Sequence, residues 1–219
     1  MRVGLISDVH GNRVALEAVL ADMPPVDRLA CAGDVVGYNP WHADCVDAMR
    51  ERGVPTVMGN HDRAVAGGTD FAFNSMAGAG VRHAREALDD DQLEWLAALP
   101  NERTVCEGSV RLVHGNPDDP NRYTYPAQFG PHLLDEEDVL VLGHTHVQHH
   151  ERYEAGVVVN PGSVGQPRDG DPRAAYAVLD LGGLQVEERR VEYDVDEVTA
   201  AIASAGLPAE LGERLREGR

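Results

Sequence analysis

VGLISDVHGN, residues 3–12, decides how this chain is read. A short apolar run, of the kind buried inside a sheet, ends abruptly in an acid, an imidazole and a glycine. The same grammar recurs four more times. ACA runs into Gly33-Asp34, TVM into Gly59-Asn60-His61-Asp62, RLV into His114-Gly115-Asn116, and VLVL into Gly143-His144-Thr145-His146. In an α/β sheet, ligands gather beyond the carboxyl ends of the strands. Five polar turns in that position can converge on one site.

Working outward, strand and helix patterns alternate. Asn12 precedes a helical pattern with apolar Val14, Ala15, Ala18 and Val19. Residues 27–32 read as a second strand, 41–50 as a helix and 54–58 as a third strand, a βαβαβ opening that argues for parallel strands. Residues 77–88 and 91–99 read as helices, the second stopped by Pro100. Glu107-Gly108 and Gly182-Gly183 are hairpin signals, between 103–106 and 109–113 and between 174–180 and 184–191. Strands are also expected at 139–142, 148–153 and 157–159. The tail, about 196–219, reads as two short helices broken at Gly206-Leu207-Pro208. The expectation is one α/β domain over residues 1–219, its second half strand-rich and antiparallel, with a helical tail.

Composition bounds what such a site can serve. The chain has 219 residues, 42% hydrophobic and 26% charged, enough for a sizeable core. No apolar run is long enough for a membrane span, and the first residues do not read as a signal peptide, so a cytoplasmic location is expected. Three cysteines (Cys31, Cys45, Cys106) without CxxC spacing argue against a disulfide framework or a zinc ribbon. There are 37 acids against 19 bases, every base is arginine, and the net charge is −18. Such a chain repels nucleic acid and anionic membranes. Arginine without lysine fits a GC-rich genome. Together with this much acid it fits an extreme halophile better, because at about 1 M salt the Debye length falls to roughly 3 Å and dense surface acid no longer self-repels.

Taken singly, the polar turns have plainer readings. Asp34 could cap a helix, Asn60 could be a turn residue in a left-handed conformation, and His114 could be a satisfied histidine at a strand end. An Asp-x-His or His-x-His pair on an extended chain puts both side chains on one side. Together the turns supply carboxylate, imidazole and amide oxygen with no thiolate. That set suits two divalent ions of the Mn, Fe, Ni or Zn type better than Mg. Two such ions about 3.5–4 Å apart need a bridging ligand, and a carboxylate serves.

DxH, GD, GNHD, a strand-end histidine and GHTH, in this order, resemble the calcineurin-like metallophosphoesterase superfamily. NPGSVGQPR at residues 160–168 and GDVVGYNPW at 33–41 are similar to the small prokaryotic phosphodiesterase branch, with Asn39 where that branch is expected to carry glycine. The ending AGLPAELGERLREGR looks like the same group. The resemblance covers essentially the whole chain and, with the composition, suggests a haloarchaeal source. It implies a four-layer α/β/β/α sandwich with two mixed sheets and a dinuclear metal centre, manganese first among the candidates. By matching motifs, Asp8, His10 and His146 would hold one ion, Asn60, His114 and His144 the other, and Asp34 would bridge them. A hydroxide between the ions would attack phosphorus, His61 would act as general acid, and Asp62 would orient it.

Further residues are candidates for the substrate. Asn12, Ser163 and Arg168 flank the motifs, and Arg168 can grip phosphate with a planar fork. Its plainer reading is an ion pair with Asp169 or Asp171. Tyr38, Trp41 and Tyr125 could stack a nucleobase or simply pack. The expected substrate is a small phosphoester or nucleotide, with a phosphodiester first and a dinucleoside polyphosphate or phosphomonoester as alternatives. A protein-binding scaffold on the same fold should have lost ligands, and none is missing. A nuclease needs a basic groove that this chain lacks. A homodimer is left open.

Overall fold

The computed structural model describes residues 1–68 and 75–219. The opening run becomes strand β1 (Arg2–Ile6), followed by helix α1 (Arg13–Asp22), β2 (Arg28–Cys31) and α2 (His42–Glu51). Asn12 caps α1 by accepting from the Ala15 amide at 3.1 Å. The expected third strand is reduced to a single bridge between Thr56 and Cys31. Three helices follow, α3 (Asn60–Gly67), α4 (Ser75–Ala87) and α5 (Asp90–Ala97). Asp89 and Gln92 form a reciprocal capping pair at the start of α5.

The second half is strand-rich, as the pattern predicts. It contains β3 (Glu102–Val105), β4 (Val110–Val113), β5 (Val139–Val141), β6 (His149–Arg152), β7 (Val157–Asn160), β8 (Ala174–Asp180) and β9 (Gln185–Val191), then α6 (Val195–Ser204) and α7 (Glu210–Glu217). One sheet has the order β2-β1-β8-β9, the other β3-β4-β5-β7-β6. Both are mixed. β1–β2 and the β4–β5–β7 run are parallel, while β8 and β9 close the first sheet and β3 and β6 flank the second in antiparallel fashion, so the second half is not antiparallel throughout as expected.

The two sheets face each other across a dry layer that includes Val3, Leu5, Leu112, Val141, Val159 and Leu179. The other face of the β1 sheet packs on helices α1 to α5 through Leu16, Val19, Met49, Val65, Val81 and Leu96. The fourth layer, over the β5 sheet, is thin. Leu133, Leu134 and Phe129, on and around the single-turn helices Pro126–Gln128 and Pro131–Leu133, cover Leu140, Leu142 and Val158. The expected two-sheet sandwich is therefore present. The C-terminal helices do not dangle: Val198, Ile202, Leu211 and Leu215 pack with Tyr38 and Ala77. No helix among the described residues is long and apolar enough to cross a membrane.

Because β1, β2, β4 and β5 lie in parallel-running halves of the two sheets, their carboxyl ends open toward the same edge of the sandwich. The five polar turns meet there.

Candidate metal centre

Among the described residues, the buried acids are Asp8, Asp34, Asp62 and Glu137. Three of these four lie at this edge, although the chain carries 37 acids. Burying a carboxylate is costly unless it is paired, so the concentration marks a site that something cationic must balance.

Asp8, His10 and His146 come together from the β1 and β5 turns. The Asp8 carboxylate lies 3.7 Å from His10 Nε2 and 3.3 Å from His146 Nε2. The two imidazole nitrogens are 3.1 Å apart. Asp34, His114 and His144 form a second trio, and His10, Asp34 and His61 a third. Asp34 Oδ2 lies 3.7 Å from His10 Nε2 and 3.3 Å from His114 Nε2, so one oxygen faces both sides of the centre. Asn60 Oδ1 lies 3.1 Å from His114 Nε2.

The other nitrogen of each ring explains the aim. Nδ1 of His10, His114 and His146 donates to the carbonyls of Val36, Ala32 and Gln166, at 3.1, 2.8 and 2.5 Å. His144 Nε2 donates to the Asn121 carbonyl at 3.2 Å. A ring pinned this way turns the lone pair of its remaining nitrogen inward, the tautomer a metal-binding histidine needs. Buried oxygens, inward imidazole lone pairs and no thiolate make a donor set that fits divalent transition ions.

The backbone holds these groups at a cost. Asp8, His10, Asp34, His144 and His146 all have φ between 50° and 69°, as does Tyr38. Left-handed conformation at non-glycine residues costs on the order of 1–3 kcal/mol each and persists where surroundings impose it. The Asp-x-His and His-x-His pairs are therefore not the extended segments that period two suggests. Each is a tight turn beyond the strand end.

GNHD starts a helix. Asn60, His61 and Asp62 form the first turn of α3, with Gly59 at the cap. The His61 amide donates to Asp34 Oδ1 at 2.8 Å, so a helix N-terminus holds one oxygen of the central carboxylate. Gly59 is required by this approach, since a Cβ there would stand 1.9 Å from Asp34 Oδ1.

Asp62 holds the backbone around Asp34. Its oxygens accept from the amides of Gly59, Asp34, Val35 and Val36 at 2.8–3.2 Å. It clamps the Asp34 turn to α3. Burial and the neighbouring Asp34 push its carboxyl up to about 7, against the pull of these amides. All four partners are donors, so the ionised form is the one this pocket satisfies.

Burial pushes the Asp34 carboxyl upward, but His114 and His61 outweigh it and leave the group well below the usual range. Burial disfavours the His114 cation too, yet Asp34 overrides it and lifts the ring to about 9. Burial lowers His10 and His146, and brings His61 and His144 to about 4.

His61 packs between rings, with centroids 4.8 Å from His10 and 4.6 Å from Tyr38. Tyr38, 5% exposed, also abuts His10 at 4.7 Å. Its ring is not free to stack a base, and Trp41 packs in the tail cluster beneath the Arg13 guanidinium. Tyr38 instead meets Arg168, whose Nη2 donates to the tyrosine oxygen at 3.1 Å and to Gln166 Oε1 at 2.7 Å. The plainer reading of Arg168 fails, because Asp169 pairs with Arg190 and Asp171 with Arg173.

Two residues expected at the substrate are instead bonded within the protein. Asn12 is fully buried, and beyond its capping role its amide donates to the Gly165 carbonyl at 3.1 Å. Ser163 is fully buried, donates to the Asp8 carbonyl at 2.7 Å and accepts from the Gln166 amide at 2.8 Å. Both are fully buried and tie the 160–168 loop to the Asp8 turn.

Asn39 belongs with them, its amide donating to the His10 and Gly165 carbonyls at 3.0 and 3.3 Å. Asn160 supports the His144 turn through the Gly143 carbonyl and Thr145 Oγ1, at 2.8 and 3.0 Å. Sequence reasoning also missed Tyr123, whose ring lies flat on His144 with centroids 3.9 Å apart and an 11° tilt. No local motif marks it.

Fold and donor set define a metallophosphoesterase, and the chain belongs to the calcineurin-like phosphoesterase superfamily, whose domain profile matches residues 1–183. A metallophosphoesterase from Sphaerobacter thermophilus has a similar solved structure, with a TM-score of 0.88 and 36% identity over 100% of this chain and 99% of that one. An uncharacterized protein of Methanocaldococcus jannaschii is 32% identical over 99% of this chain and 98% of its own length. Phosphodiesterase YfcE of Escherichia coli K12 is 29% identical over 85% of this chain and 91% of its own. The protein is thus a metal-dependent phosphoesterase of this superfamily.

Proposed function

We propose that the protein hydrolyses small phosphodiesters, including nucleotides, at a dinuclear centre. Residues 1–219 would act as one unit, since the tail packs on the Tyr38 turn. The observation that carries the reading is Asp34: one oxygen faces histidines of both trios while the other accepts from the start of α3. Asp8, His10 and His146 would hold one ion and Asn60, His114 and His144 the other, with Asp34 shared. Two bound ions, manganese being our first choice, would supply Lewis acidity toward the phosphoryl oxygens and a water whose pKa falls from 15.7 toward about 7.

The chain's own groups would do the rest. The carbonyl-pinned rings fix the donor positions before substrate arrives, so little reorganisation is needed. Arg168, held by Tyr38 and Gln166, presents a guanidinium suited to a non-bridging phosphate oxygen. His61 sits on the centre between the His10 and Tyr38 rings, and would give its proton to the leaving oxygen. A phosphoester anion beside it favours the charged ring that burial otherwise disfavours. A scaffold role is disfavoured because the donor set and His61 are all present in the buried cluster.

The test is a substrate panel with added manganese: an aryl diester, an aryl monoester, a 2′,3′-cyclic nucleotide and a dinucleoside tetraphosphate. It is run in 0.1 M and 3 M KCl, since the charge of −18 without lysine points to a protein that folds best in high salt. Metal-dependent turnover of the diester above the monoester is the expected result. A preference for the monoester, or hydrolysis indifferent to a chelator, would overturn the reading. A melting temperature equal in the two salts would remove the halophile proposal alone.

A further inference from the structure

Among the described residues, the large exposed hydrophobic side chains are Met1, Tyr123 and Tyr125, the tyrosines 44% and 47% exposed. The two lie one residue apart beside the centre. Tyr123 stacks on His144, and the Tyr125 ring is nearly parallel to Tyr123, with centroids 5.8 Å apart and an 18° tilt. Three rings thus lead from the metal-facing histidine out to solvent. The segment is anchored at two points. Thr124, between the tyrosines, is 2% exposed and accepts from the Asn116 amide at 3.0 Å, while the Asn121 carbonyl accepts from His144. Its contact with His144 places Tyr123 at the mouth of the same site.

We propose that Tyr123 and Tyr125 form a stacking platform for a nucleobase, and that the substrates they select are phosphodiesters carrying a base on one side. This rests on the phosphoester reading above and narrows it. A protein would gain little from two rings beside a buried centre. A base attached to a bound phosphate can reach them, because stacking needs only a flat π-face. Tyr38 is buried, and the partly buried Trp41 packs on the tail cluster with the Arg13 guanidinium over its ring. In a chain of charge −18, a neutral stacking contact also adds affinity for an anion where net charge opposes it.

The test compares 2′,3′-cyclic AMP with glycerol 1,2-cyclic phosphate, which has a similar reacting ring and no base. Tyr125 contacts none of the proposed ligands, so Tyr125→Ala should lower kcat/KM on the nucleotide roughly 5- to 150-fold, as loss of one stacked base does. It should leave the glycerol ester within about twofold, and Tyr125→Phe should restore the nucleotide. In the metal-free protein, calorimetry should show AMP binding more tightly than ribose 5-phosphate, the difference disappearing in Tyr125→Ala. Equal losses on both esters, or no loss on the nucleotide, would overturn the platform. If wild type cleaves neither ester yet AMP binding depends on Tyr125, the phosphodiester reading fails while the platform stands.

Discussion

The two halves of the centre are built by opposite means. On one side, Asp8, His10, Asp34, His144 and His146 sit in left-handed turns just past strand ends, their rings pinned by backbone carbonyls. On the other, Asn60, His61 and Asp62 occupy the ordinary first turn of α3. The turns fix donor atoms by strain and hydrogen bonding. The helix start gives amides and side chains that close around Asp34. The division of labour we propose is that the turns, with Asn60, would hold the ions, while His61 would supply the proton and Asp62 clamps the Asp34 turn.

The largest expected effect tests that division. His61→Asn should retain both ions and lose roughly 10²–10⁴-fold in turnover on an alkyl diester, the usual worth of general acid catalysis. The loss should shrink on a nitrophenyl diester, whose leaving group barely needs a proton. Turnover on both esters with elemental analysis checks this. Loss of an ion would make His61 a ligand, as its trio with His10 and Asp34 would permit.

Asp62→Asn tests the clamp. An amide offers one acceptor oxygen where the carboxylate offers two to four N–H donors. Losing charge-assisted bonds and setting an NH2 against backbone donors should cost about 2–3 kcal/mol in urea unfolding. A loss near zero would mean that the Asp34 turn holds itself.

A smaller effect probes the support beneath the strained turns. His42 is buried, its Nδ1 accepting from the Gly37 amide at 3.3 Å and its Nε2 lying 3.1 Å from His83 Nδ1. Burial, then His83, lowers it from 6.5 to about 3. The folded state keeps it neutral while the unfolded state takes up a proton below 6.5. Its contribution is therefore complete above pH 6.5 and is lost as pH falls toward 3. In metal-free protein, His42→Gln should flatten the stability slope between pH 6.5 and 5 by about one proton, or ~1.4 kcal/mol per pH unit. His114, raised to about 9, has the opposite sense, with stability present below 6.5 and lost as pH rises through 9. An unchanged slope in the variant would assign the acid sensitivity to other groups.

The same contrast explains what could be read from the sequence. The strand-end turns were legible because an apolar run followed by Asp, His and Gly has few other uses. Their placement followed from parallel strands. What periodicity could not give is backbone handedness: the positive φ at Asp8, His10, Asp34, His144 and His146 arises from tertiary packing. That GNHD starts a helix was not legible either, because it depends on Gly59 letting the chain pass against Asp34, a contact distant in sequence. Asn12 and Ser163 looked available because polar residues near a motif resemble ligands in one dimension, whereas in three they hold loops together. Residues 54–58 have the apolar run of a strand but only Thr56 bridges to β2. Tyr123 was invisible since its meaning depends on a ring 21 positions away in the chain.

The central claim is that Asp34 is shared by two ions, and metal stoichiometry tests it most directly. Wild-type protein reconstituted with manganese and freed of excess should carry two ions per chain by elemental analysis. Asp34→Asn, which keeps the shape and removes the charge facing His10 and His114, should lose metal and diester hydrolysis together. Two ions retained per chain in Asp34→Asn, with the variant folded, would contradict the account.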